Sequence, residues 1–413
     1  MVWQRVEVPL ERAEGQGPGG ILMNKDALAP ELMAFAGQVQ CVYMDPPFFT
    51  GGRMTFRMRV GEDGWRDGTP SIDFVAYDDF SGVHRDEYLA FLRELIERAH
   101  VLLGPTGSFF LHLDDRMAAH ARLICDEVFG ISQFRNSIIW SYQTGGRSKR
   151  YFSRKHDTIL FYARSRDHFF DITQVPTKLK RDRGNHLKRE VDEKGRAFRS
   201  IVSNGKRYIY YDDEPDYPDD VWTDVSQMQQ KDPQRTGYAT QKPQALTDRI
   251  ILCSTRPNDL VADILCGSGT ALVSAAVNGR RFLGADDSPH AFSVSRKRLA
   301  EFAVESHAPL SRVQAMVDAS LLPGIGYYSV GLNAYTLAEP PEGTPELSGL
   351  DAVDQWYAGL IQEHVFTVYA SSVRKKGTPA LAPRLEIPML RGTVALMVID
   401  VYGNRTLWAG AGV

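Results

Sequence analysis

Short apolar runs alternate with amphipathic stretches through much of the first 300 residues, and this alternation predicts most of the elements. Residues 40–44 form an apolar run that reads as a short buried strand. Tyr88, Leu89, Leu92, Leu95, Ile96 and Ala99 recur at three- and four-residue spacing, which predicts a helix over Arg85–Leu103. GPTG (104–107) reads as its stop and SFFLHL (108–113) as the next strand. Asp114 stands where it can cap a second helix, ending at Gly130. SIIWSY (137–142) and TILFY (158–162) read as further strands. The periodicity fades over 145–237 and returns at Pro243 with a helix, PQALTDRIILCSTR, and the strand LVADIL (260–265). Past CGSGT come the helix ALVSAAVNG and the strand RFLGADD (281–287); Ser288-Pro289 then opens another helix, Ser as cap and Pro at its first position. Strand and helix in turn predict an α/β fold with a mostly parallel sheet. From about residue 305 the chain breaks into strand-like pieces punctuated by Gly and Pro, read as a separate C-terminal module.

Composition narrows the class. Of 413 residues, 43% are hydrophobic and 24% charged, as in ordinary globular proteins. No apolar run approaches the roughly 18 residues of a membrane span, and the first twenty residues lack a signal-peptide core. Cys41, Cys125, Cys253 and Cys266 lie far apart without metal-ligand spacing, so a reducing, cytoplasmic setting and no metal are expected. The ten histidines form no ligand-spaced cluster and no HExxH occurs, which argues against a metal hydrolase; His112 reads as a satisfied histidine at a strand end. The net charge of −3 hides an asymmetry: Arg147 to Arg207 holds 18 Lys/Arg against 7 Asp/Glu. Charge alone fits either a solvated segment or a surface facing phosphates.

Two motifs carry chemistry. Strand, CGSGT and helix form a turn that lets a ligand approach backbone and meet a helix N-terminus. Asp263 precedes the turn, and Asp286 ends the next strand 17 residues past Gly269, placed to bind both ribose hydroxyls of a nucleoside. A third glycine and the Gly-Lys-Ser/Thr of a phosphate loop are missing, so a nucleoside without a phosphate chain, S-adenosylmethionine (SAM), fits better. The second motif is Asp45-Pro46-Pro47-Phe48, at the mouth of a strand. An exocyclic amino group on a nucleobase is a poor nucleophile because its lone pair is delocalised into the ring. A carboxylate and a proline-held carbonyl can accept its two hydrogens and free that pair. A following aromatic ring can stack on an extruded base.

DPPF followed by QKPQAL and DILCGSGT resembles the amino-methyltransferases of DNA in the β order, where the catalytic motif comes first. GPTGSFFLHLDD, DEVFGISQFRNSIIWSYQTGG, SRKHDTILFYARS and TGYATQKPQAL look like connecting segments of bacterial site-specific adenine methyltransferases. The resemblance implies a seven-stranded, mostly parallel sheet with helices on both faces. Its halves would be a catalytic one (20–144) and a SAM-binding one (238–304), separated by a basic target-recognition insert (145–237) and followed by a strand-rich C-terminal module (305–413). It implies catalysis by Asp45, Pro46, Pro47 and Phe48. Gly267, Ser268, Gly269 and Thr270 would hold SAM, flanked by Asp263 and Cys266, with Asp286 on the ribose. Lys242 and Pro243 would close the methionine side, and Asp26, in MNKDAL, would meet the adenine. Two positions depart from the family: Ile264-Leu265 replaces Pro-Phe after Asp263, and Ala271 replaces a second Thr.

The activity so implied is transfer of methyl to adenine N6 in double-stranded DNA, by base flipping and direct displacement, with a homodimer and a partner restriction endonuclease as companions the family allows. Arg147, Lys149, Arg150, Arg154 and Lys155, interleaved with Tyr151 and Phe152, are the expected DNA contacts. Cytosine N4 methylation, an RNA or small-molecule amino-methyltransferase and an inactive DNA-binding subunit are the competing readings.

Overall fold

The computed structural model describes residues 2–142, 148–177, 188–345, 347 and 349–411. Its main feature is a continuous sheet of fifteen strands. At the centre lie seven, in the order Gln16–Asn24, Arg281–Asp286, Leu260–Asp263, Val39–Met44, Leu103–Leu113, His156–Ala163 and Phe134–Ser141. The first five pair in parallel, and the last two are joined antiparallel.

Side chains alternate across this sheet and fill a core on each face. Val42 and Met44 pack on one side with the helices Arg85–Leu102 and Asp115–Phe129, through Leu92, Leu95, Ile96, Ala121 and Ile124. Cys41 and Tyr43 point to the other, against Leu246, Ile250 and Ile251 of helix Gln244–Ser254 and the apolar face of helix Thr270–Val277. Asp114 caps its helix by accepting from the Arg116 amide at 3.0 Å.

Three features differ from the sequence reading. GPTG is not a loop: the strand starts at Leu103, directly after the helix. Its glycines serve close packing, since a Cβ on Gly107 would stand 2.8 Å from Leu103 Cδ2 and 3.0 Å from the Val39 carbonyl. The insert holds an antiparallel three-stranded sheet, Arg189–Val191, Ala197–Ser203 and Lys206–Tyr211. Exposure of most of its side chains removes the alternation by which strands are recognised.

The third concerns the sheet's extent. The strand Phe302–His307 crosses the boundary expected at 304, and Leu10–Ala13 links it to Val365–Val373, Val353–Gln362, Thr393–Asp400 and Arg405–Ala411. The sheet thus extends to fifteen strands, because the C-terminal strands continue it through that N-terminal one. Buried ion pairs cross the junction. Glu11 lies between Arg296 and Arg405, and Lys297 pairs with Asp354. Burial opposes ionisation of Glu11, but the two guanidinia outweigh it and hold the carboxyl below its usual range.

Candidate active site

Four adjacent parallel strands end at one edge of the sheet, and each delivers an acid there. Asp26 follows Gln16–Asn24, Asp286 ends Arg281–Asp286, Asp263 ends Leu260–Asp263, and Asp45 follows Val39–Met44. All four line one cleft of about 520 Å³, together with Pro47, Lys242, Cys266, Gly267, Ser268 and Thr270. Strand Leu260–Asp263 is where the order turns back on itself, the position at which open α/β sheets bind ligands.

The glycine turn requires glycine. Gly267 and Gly269 have φ of +49° and +73°, and a Cβ on Gly269 would stand 2.6 Å from Ser295 Oγ. The turn is tied from behind: Ser295 Oγ donates to the Gly267 carbonyl at 2.9 Å and Arg298 Nη1 to that of Ser268 at 2.7 Å. In front, Asp286 accepts from the amides of Gly267 (2.8 Å) and Ser288 (3.0 Å). Desolvation by the surrounding protein pushes the Asp286 carboxyl up to about 7, although one edge faces the cleft. Asp263 is buried, and desolvation, reinforced by the charges of Asp45 and Asp286, raises it well above the carboxylate range. Burial likewise raises the Cys266 thiol far from any nucleophilic state.

Asp45 is held differently. One oxygen, Oδ2, pairs with Lys242; the other, Oδ1, is buried without a hydrogen-bond partner. The Pro47 carbonyl accepts from the Tyr88 hydroxyl at 2.7 Å, which fixes the Pro-Pro turn. Lys242, expected on the methionine side, lines the first cleft, pairs with Asp45 and lines a second cleft as well, of about 700 Å³. Its Nζ lies 5.0 Å from the centre of the Phe48 ring. Phe48 belongs to this second cleft, with Trp140, Tyr142, Arg154 and Asp157. Pro46, Pro243 and Gly269 line neither cleft and support those that do.

A buried chain of hydrogen bonds lies under the second cleft. Tyr43 Oη meets His112 Nδ1 at 2.9 Å, His112 Nε2 meets Asp157 at 3.1 Å, and the Tyr142 hydroxyl donates to Asp157 at 2.9 Å. Desolvation would raise Asp157, but His112, Lys242 and Tyr142 together hold it below its usual range. His112 is therefore satisfied on both ring nitrogens.

Sequence reasoning missed that chain, along with Tyr238, Tyr77 and His290 in the first cleft. Tyr77 comes from an antiparallel hairpin, Arg53–Arg59 with Ser71–Asp78, whose alternating SIDFVAYD was a readable strand signal. Among the expected DNA contacts, Arg154 lines the second cleft, and Lys149 and Arg150 are exposed. Lys155 is half-buried, and Arg147 lies outside the described residues. Among the described residues no set of three His, Cys, Asp or Glu side chains could hold a metal ion, and no helix is long and apolar enough to cross a membrane.

Fold and site define an α/β protein with a nucleoside-sized cleft at a switch point and a second cleft beside it. The DNA methylase family matches residues 39–297, and the chain belongs to that family. It is 32% identical over 208 residues to the Type II methyltransferase M1.MboII of Moraxella bovis, covering 49% of this chain and 75% of that protein. The DNA adenine methyltransferase YhdJ of Escherichia coli is 23% identical over 302 residues, covering 73% and 89%. Among solved structures, the cytosine-N4-specific PvuII DNA methyltransferase overlaps at a TM-score of 0.45 and 15% identity, across 71% of this chain and 90% of that one.

Proposed function

We propose that this protein is a SAM-dependent DNA methyltransferase that modifies adenine N6 in duplex DNA. The observation that carries the reading is Asp45: one oxygen anchored by Lys242, the other buried and unpaired at the edge of the cofactor cleft. A buried polar atom without a partner is costly, and an amino hydrogen of an extruded base would satisfy it. The Pro46 carbonyl is the second acceptor, and Phe48 offers a ring on which the base can stack.

The first cleft suits the cofactor. Its size falls in the range of small-molecule sites, and each Asp286 oxygen keeps a lone pair for a ribose hydroxyl beyond the backbone amide it already accepts. Gly267, Ser268 and Thr270 would hold the methionine and sugar, with Asp26 near the adenine. SAM bound there would supply an activated methyl group to the amine nitrogen, its sulfur keeping the electrons of the broken bond, and the surplus amine proton would pass to Asp45 or to water. The protein's task is to orient the amine, withdraw its hydrogens and exclude water. No covalent intermediate is required.

Adenine is preferred because the Asp-Pro-Pro-aromatic order resembles the adenine enzymes and because a relative matching most of the chain, YhdJ, is a DNA adenine methyltransferase. Duplex DNA is preferred because Arg154 lines the second cleft and the neighbouring Lys149 and Arg150 are exposed. One experiment tests the whole. Duplex DNA treated with enzyme and SAM is digested to nucleosides, in parallel with the Asp45→Ala variant. The expected result is N6-methyldeoxyadenosine with the wild type, none with the variant, and SAM affinity unchanged within about twofold. N4-methyldeoxycytidine alone would overturn the base, and an active variant would overturn the role of Asp45.

A further inference from the structure

A third cavity, of about 280 Å³, lies at the junction of the helix Gly61–Asp67, the segment 233–236, the helix Pro289–Arg298 and the C-terminal segment Val373–Lys376. Neither the methyl-transfer reading nor the family match gives it a role. Its charge balance is unusual. Six cations line it against two carboxylates, Glu301 and Asp354, and each of these already has a lysine: Lys375 at 3.2 Å and Lys297 at 2.5 Å.

Four cations remain: Arg235, Arg298, Arg374 and Lys376. Among the described residues, Arg298 donates to neutral oxygens, the Ser268 carbonyl at 2.7 Å, Thr270 Oγ1 at 3.0 Å and Ser268 Oγ at 3.5 Å. Arg374 is almost fully buried and donates to the carbonyls of Val353, Pro379 and Leu350; its nearest carboxylate, on Asp351, is 4.0 Å away. Lys376 reaches the Lys231 carbonyl at 3.0 Å, and Arg235 pairs with no carboxylate among the described residues. Trp65 supplies a further donor, for its Nε1 is buried without a partner. Both Lys297 Nζ (4.3 Å) and the Arg59 guanidinium (5.0 Å) lie near the centre of its ring.

Arg374 has only the long pair with Asp351, so the cations here outnumber the carboxylates; gathered in a partly desolvated space they repel one another, and an anion relieves this. Burial alone already brings the Arg298 guanidinium down to about 10. A single carboxylate would leave most of the charge unmatched, whereas a phosphate dianion offers more charge and several acceptor oxygens. We infer that this cavity is a phosphate-binding site, with Arg235 and Lys376 as its accessible donors and a buried, unpartnered Nε1 on its lining residue Trp65. The phosphate has two potential sources. Arg235 also lines the second cleft, so a backbone phosphate of bound DNA is one; a free phosphorylated compound is the other.

The test uses the full-length protein and does not depend on methyl transfer. Inorganic phosphate is titrated calorimetrically at ionic strength held constant with sodium chloride, against the wild type and a variant with Arg235→Gln and Lys376→Gln. The expected result is a saturable one-to-one heat that weakens at least tenfold in the variant. In a second arm, the salt dependence of duplex binding is compared between the wild type and Lys376→Gln. A slope shallower by about 0.9 assigns the phosphate to DNA; an unchanged slope, with phosphate heat that the double variant weakens, assigns it to a free compound. The site is disproved by absence of saturable heat together with an unchanged slope. Heat that persists undiminished in the double variant disproves it too, because the anion then sits elsewhere.

Discussion

The two clefts that meet at Lys242 are built on different principles. In the cofactor cleft, four acids stand where four parallel strands end, so the backbone ladder sets their spacing. In the second cleft, Trp140 and Asp157 come from two antiparallel strands and Tyr142 directly follows one of them, while Gln227, Met228 and Arg235 come from irregular chain. There the lining residues Asp157 and Tyr142 are aligned by side-chain hydrogen bonds that run back through His112 to Tyr43, which lines the first cleft. A ladder fixes side-chain positions rigidly, while irregular chain can change its contacts without disturbing the sheet. Among the described residues, Lys242 is the one cation that faces both clefts, and it pairs with Asp45.

The largest effect that separates the two sides should come from Lys242→Met. It leaves Asp45, a largely buried carboxylate, without its counter-cation, a change that costs about 3–5 kcal/mol for a buried pair. Turnover should fall by about two orders of magnitude, with SAM affinity changed less than about threefold, and Lys242→Arg should recover much of the loss. Stopped-flow turnover and SAM titration read the two quantities separately. A collapse of SAM affinity at preserved saturating turnover would return Lys242 to the cofactor side alone.

The converse variant is Gly269→Ala, which strikes the glycine turn beside the first cleft and spares Asp45. A side chain at a φ of +73° costs about 1–3 kcal/mol, and its Cβ would press on Ser295, which holds the Gly267 carbonyl. SAM should bind about 30-fold more weakly, and saturating SAM should restore most of the turnover. A turnover that stays low at saturation would show that the turn also shapes the target side.

What could be read from the chain follows the same division. Asp45, Asp263 and Asp286 were recognisable because each closes a short apolar strand, and a strand's end is marked by its own residues. The Tyr43–His112–Asp157–Tyr142 chain was not, since its members are up to 114 residues apart and each looks like an ordinary core or strand residue. The exposed sheet Arg189–Tyr211 escaped because it lacks the alternation that burial of one face imposes. The union of the C-terminal strands with the main sheet turned on Leu10–Ala13, four residues whose strand character appears only when Phe302–His307 and Val365–Val373 flank them.

The smallest effect isolates Asp286. Its carboxyl titrates near 7, chiefly through desolvation, and SAM binding requires it ionised if the ribose hydroxyls donate to it. Affinity should therefore be full above pH 7 and fall as pH drops through that value, by at most about tenfold between pH 8 and 6. Stability moves the other way. A carboxyl raised above its unfolded value favours the folded state most below about pH 4, and that contribution is lost as pH rises through 7. Acid should thus weaken cofactor binding without this group weakening the fold. Measured by SAM titration alongside thermal melting, Asp286→Asn should flatten the affinity profile between pH 6 and 8 at a uniformly lower affinity. A profile that keeps its slope in the variant would move the titration to another group in the cleft, such as Asp287, whose carboxyl burial also raises.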